Sequence, residues 1–140
     1  MVLLTFYVLF FLFFGYRTWQ RNLIYSDTDL FYERLSKSES PYASYGYGYK
    51  ARVAIEQGRW EEAIVPLKTA NAINPKSHMI YDRLGLYYFQ KNDFGKAISN
   101  FRKAYDTCPY KSSKHLVKVA MTESHTGDYA QAAQTYERIQ

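Results

Sequence analysis

From Val2 to Tyr16 the chain reads VLLTFYVLFFLFFGY, an uncharged run interrupted only by Thr5 and Gly15. LFFLFF is apolar all round, so a helix formed here has no polar face to turn toward water. As a helix the 15 residues reach roughly 22 Å, short of the ~30 Å of a hydrocarbon core, with Met1 and Trp19 extending them. The pattern predicts a transmembrane helix and its interface over residues 1–25, with Tyr16, Arg17, Trp19 and Arg21 at headgroup level. A cleaved signal peptide fits less well, because no positive n-region precedes the run and no small-residue cleavage site follows it. A single-pass anchor and the final membrane helix of a longer polypeptide are both compatible with it.

Beyond the run the pattern becomes periodic on a longer scale. Pro41, Pro75 and Pro109 stand 34 residues apart. On that frame Gly58-Arg59-Trp60-Glu61-Glu62-Ala63-Ile64 aligns with Asn92-Asp93-Phe94-Gly95-Lys96-Ala97-Ile98. One extra residue then brings Gly127-Asp128-Tyr129-Ala130-Gln131-Ala132-Ala133 into phase. A period of this length marks stacked helical hairpins, each unable to bury its apolar face alone. Gly58, Asn92 and Gly127 fall at the hairpin turns, where a left-handed residue ends the first helix. Asn74-Pro75 and Cys108-Pro109 close the second helices, since a residue before proline leaves the α region. Pro66 lies inside a second helix and is expected to kink it or remove a hydrogen bond.

The repeat resembles the tetratricopeptide repeat. The middle copy carries that pattern as Tyr81, Leu84, Gly85, Tyr88, Ala97, Phe101, Ala104 and Pro109. The first copy keeps Tyr47, Ala51, Ala63, Leu67, Ala70 and Pro75, but has Lys50 and Ala54 in place of Leu and Tyr, which suggests a loosely packed first helix. The third keeps Leu116, Val119, Ala120, Ala132, Tyr136 and Ile139, with Glu123 where an aromatic is usual. The resemblance implies an all-α chain: the transmembrane helix, then an α-solenoid of about three helix-turn-helix repeats over 42–75, 76–110 and 111–140. Ser26 or Asp27 is placed to cap a short linking helix within 26–41, a half-repeat covering the first hairpin. A solenoid reaching Gln140 without a polar cap leads us to expect a further repeat or a partner there.

Stacked repeats present a concave surface from their first helices. Family geometry puts Tyr45, Arg52, Ile55, Asp82, Arg83, Leu86, Phe89, Lys114, Val117, Lys118 and Met121 toward it. The mixture of apolar side chains with basic rims suits a protein partner offering an extended or acidic peptide segment. The carboxylate clamp of chaperone-binding members is resembled only loosely, because its asparagines are absent.

Charge sharpens this picture slightly. The net charge is +5, and seven basic residues lie between Lys91 and Lys118 against Asp93 and Asp106. That surplus suits an acidic partner or an anionic bilayer surface, although lysines on helix exteriors are also ordinary solvated residues. No nucleic-acid recognition motif accompanies it. A lone Cys108 permits no internal disulfide, and His78, His115 and His125 have no metal-ligand spacing, so no metal site is expected. No phosphate-cradling loop or nucleophile elbow occurs, and the expectation is a non-enzymatic scaffold without cofactors.

The stretch Arg17-Thr18-Trp19-Gln20-Arg21-Asn22 followed by Asp29-Leu30-Phe31 also resembles the junction before the repeats of O-mannosyltransferase-type membrane glycosyltransferases. That resemblance implies an alternative: the C-terminal accessory region of a polytopic glycosyltransferase whose catalytic part is not in this chain. It would put the repeats on the extracytoplasmic side, whereas Arg17 and Arg21 favour the cytoplasmic side. The leading expectation is a membrane-anchored scaffold within a larger membrane complex.

Overall fold

The computed structural model describes residues 10, 13–19 and 27–139. Asp27 starts the repeat region: its carboxylate accepts from the backbone N–H groups of Asp29 at 3.0 Å and Leu30 at 3.2 Å. The cap satisfies donors that the first helical turn leaves open, and α1 runs over Thr28–Ser36. Three hairpins follow. They are α2 (Ala43–Glu56) with α3 (Trp60–Ile73), α4 (His78–Gln90) with α5 (Phe94–Thr107), and α6 (Ser113–His125) with α7 (Tyr129–Glu137). Each helix packs chiefly on its sequence neighbours, and α2 also meets α4, so the first helices of successive hairpins line up on one face.

The turns follow from local chemistry. Gly58, Asn92 and Gly127 take φ of +73°, +58° and +84°, the left-handed conformation that lets a helix reverse within a few residues. Immediately after two of these turns, the carboxylates of Asp93 and Asp128 each accept a backbone N–H, from Lys96 and Gln131, at 3.2 Å. Between hairpins, the Tyr81 hydroxyl donates to the Pro75 carbonyl at 2.9 Å and ties the first linker to α4. The second linker contains Lys111 at φ +46°, a strained conformation for a side-chain-bearing residue that the sequence reading did not anticipate. Its ammonium donates to the Asp106 carbonyl at 2.9 Å.

Two cores hold the stack. Ala51 and Ala54 of α2 pack with Ala63, Leu67 and Ala70 of α3 and with Ile80, Leu84 and Tyr87 of α4. Ala97 and Phe101 of α5 pack with Val119 of α6. Gly85 permits the second hairpin to close, because a Cβ there would stand under 3.0 Å from the Phe101 ring. The loose packing expected of the first hairpin is not found. Ala51 and Ala54 are almost fully buried, and Trp60, Tyr47 and Ile64 supply the bulk expected of Leu and Tyr. Pro66 does not interrupt α3, which continues to Ile73; the proline removes one backbone donor at a half-buried position.

The expected transmembrane helix lies largely outside the described residues. Residues 13–19 are helical, with Phe13, Phe14, Tyr16 and Trp19 all at least half exposed. Tyr16 and Trp19 stand 6.1 Å apart, the Arg17 guanidinium lies 5.8 Å from the Phe13 ring centroid, and Arg21 falls outside the described residues. Among the described residues no helix is long and apolar enough to cross a membrane.

Candidate partner-binding groove

The aligned first helices leave a hollow of about 510 Å³ on one face. Helix α2 contributes Arg52, Ile55 and Glu56, and α4 contributes Asp82, Arg83 and Leu86. Lys114, His115 and Lys118 of α6 complete it, with Cys108 and Tyr110 from the preceding linker. A smaller hollow of about 240 Å³ adjoins it toward α1, with Tyr45, Gly48 and Tyr49 on one wall and Met79 and Ile80 on the other. Arg52, Met79 and Arg83 line both. Eight of the eleven residues expected at the groove, Tyr45 through Leu86 together with Lys114 and Lys118, therefore border these two spaces.

Three do not. Phe89 packs against Phe94 and the His125 ring, with centroids 5.6 and 5.5 Å away, and against the second core. Val117 is half-buried on α6 outside the lining, and Met121, 58% exposed, lies one turn further along that helix. Conversely, Met79, Glu56, His78 and Tyr110 line the larger hollow without having been anticipated. Met79 was within reach of the helical pattern, since it precedes Asp82 and Arg83 by three and four positions. Tyr110 is in a linker, where periodicity carries no information.

The charges are arranged differently from a simple basic rim. Lys118 donates to both Asp82 carboxylate oxygens, at 2.6 and 2.7 Å, and His115 Nδ1 lies 3.0 Å from the same carboxylate. Asp82 thus joins α4 to α6 and matches one of the cations expected to meet an acidic ligand. Arg52 is also engaged, donating to both Glu56 oxygens at 2.7 and 2.8 Å, and the Glu56 carboxylate raises the guanidinium's pKa from its ordinary value. Lys114 stands exposed at the rim. Arg83 is half-buried; among the described residues it has no carboxylate partner, and its one hydrogen bond there, to the Met79 carbonyl, is long at 3.4 Å. Burial lowers its pKa, the charge of Arg52 adds to the effect, and those of Asp82 and Glu56 partly oppose it.

Glu123, the acid at an expected aromatic position, does not face the groove. It is 1% exposed and accepts from Arg102 Nη2 and from the Thr135 hydroxyl, both at 2.8 Å. Among the described residues no group of three or more His, Cys, Asp or Glu is placed to hold a metal ion.

These helices form an α-solenoid of stacked helical hairpins. Residues 80–110, most of the middle hairpin, match the family model for the tetratricopeptide repeat. The chain is similar to the N-terminal domain of stress-induced protein-1 (STI-1) from C. elegans, with TM-score 0.66 and 18% identity over 73% of this chain and 85% of that one. It is also similar to MamA AMB-1, with TM-score 0.63 and 18% identity, covering 80% of this chain and 62% of that one. Among curated proteins, none matches the sequence.

Proposed function

We propose that the chain is a non-enzymatic scaffold whose concave face captures an extended segment of a partner protein, while residues 2–16 tether it to a bilayer as part of a larger membrane complex. The carrying observation is the pair of adjoining hollows, with Ile55, Leu86 and Met79 as apolar surface and Lys114 at the rim. Met79 and Tyr45 remain 40% and 47% exposed there, more apolar surface than a finished core leaves open. Apolar anchors flanked by charge suit a peptide held by a few side chains, and one helix from each hairpin supplies them. The uncharged run from Val2 to Tyr16 supports the tether, because water is a poor solvent for it.

Met79 is the clean place to test the groove. Reversing Lys118 would set a carboxylate against Asp82 and damage the junction between hairpins, whereas Met79 is exposed and its loss spares both cores. Met79→Arg is expected to weaken binding of capped decapeptides selected on the full chain by about tenfold or more, with an unchanged melting temperature. Equal binding by wild type and variant would remove the groove as the capture site. The tether is checked separately: the full chain should resist carbonate extraction from membranes, and deletion of residues 1–25 should release it.

A further inference from the structure

We infer that Arg83 is the acid-reading subsite of this groove, receiving the carboxylate side chain of an Asp or Glu in the captured segment, next to a bulky apolar residue seated between Tyr45 and Met79. The inference rests on the peptide-binding reading above and adds which chemistry the segment must carry.

Four cations serve as a comparison. Arg52 reaches both Glu56 oxygens through Nη1, Lys118 reaches both Asp82 oxygens through Nζ, and Arg102 holds Glu123. Lys114 is unpaired but exposed, where water solvates an ammonium at little cost. Among the described residues, Arg83 is the one lysine or arginine lining the two hollows that is both half-buried and without a carboxylate. A guanidinium partly withdrawn from water with most of its donors unmatched is unfavourable, and the planar fork is shaped for two parallel hydrogen bonds to one carboxylate. No acid among the described residues provides them, because Asp82 turns to α6 and Glu56 turns to Arg52.

Access is open on the α2 side. Gly48 and Arg83 both line the smaller hollow, and a Cβ on Gly48 would stand in ordinary contact with Arg83 Nη1 at 3.9 Å, so a larger side chain there would crowd the guanidinium. Both hollows reach Arg83, so a segment lying along the face passes over it whichever end enters first. Tyr45 and Met79, both partly exposed, flank the smaller hollow and offer an apolar seat beside the charge.

The test uses the full chain in detergent micelles and an array of random decapeptides with acetylated N-termini and amidated C-termini, together with a matching set having free C-termini. Wild-type binders from the capped set should contain an Asp or Glu whose replacement by Asn or Gln weakens binding roughly tenfold or more. Arg83→Met should remove that difference while retaining weak binding of the neutral peptides, and should melt no lower than wild type, since it deletes a half-buried charge without a counter-ion. Gly48→Leu, which fills the approach and leaves the charge in place, should produce the same loss of acid preference. Capped binders indifferent to the acid exchange would overturn the role of Arg83 while leaving the groove standing. Binding confined to peptides with free C-termini would replace the side chain by a terminal carboxylate and refute the assignment. No binders in either set would overturn both the subsite and the groove.

Discussion

Glu123 illustrates how far a single residue can be understood before its neighbours are known. It stands out in the repeat frame because an acid replaces an expected aromatic, yet nothing in the pattern points to Arg102, 21 positions earlier, or to Thr135 as its partners. Its carboxylate is buried while the Arg102 side chain is 50% exposed, so the pair is asymmetric: the arginine can return to water and the hydroxyl of Thr135, only 5% exposed, cannot. Glu123→Ala is therefore expected to destabilise the chain by about 2 kcal/mol, mostly from the stranded hydroxyl and the space left behind. Urea unfolding checks it, and Glu123→Gln, which still accepts from Thr135, should lose less. The same limit applied to the groove. Helical spacing placed Arg52, Asp82, Arg83 and Lys118 on one face, but whether each charge is matched or free depends on rotamers and on contacts between hairpins that spacing does not encode.

At the scale of helices, the contact between α1 and α2 turns on Gly46. A Cβ there would stand under 3.0 Å from backbone atoms of Ser36 and Tyr32, which no side-chain rotation can relieve. Tyr32 and Tyr49 stack at 4.1 Å beside this crossing, and the Tyr49 hydroxyl donates to Asp29 at 2.6 Å. That bond to the Asp29 carboxylate raises the Tyr49 pKa. In an isolated helix Gly→Ala is stabilising by up to roughly 1 kcal/mol. In this chain Gly46→Ala should have the opposite sign, displacing α1 and exposing Thr28–Ser36 to hydrogen exchange while the three hairpins stay protected. The hairpins themselves were legible because turn residues and prolines recur at a fixed interval. The tight packing of α2 was not, because its bulk comes from Tyr47 and, on the partner helix, Trp60 and Ile64 rather than from the Lys50 and Ala54 positions.

The whole molecule behaves as a line of neighbours, so the effect of damage depends on where it falls. Gly85→Ala drives a methyl into the Phe101 ring at the centre of the stack, and that ring belongs to the core shared with Val119 of α6. Overpacking of this kind is expected to cost about 1–3 kcal/mol. Because the middle hairpin joins the outer two, protection should fall along α2–α7 together, in contrast to the local loss expected at Gly46. Exchange mass spectrometry on the two variants separates these outcomes. Asp82 and Glu123 bear on heredity as well as on stability. Repeat arrays commonly diversify by copying or exchanging whole units, and such swaps succeed when the joints are generic and apolar. Here α6 takes Asp82 from the unit before it for Lys118 and His115, and gives Glu123 back to Arg102. A duplicated or transplanted third hairpin would arrive with a buried acid that keeps Thr135 but lacks its cation, and with Lys118 and His115 lacking their acid, so recombination should preserve the second and third hairpins as one inherited block.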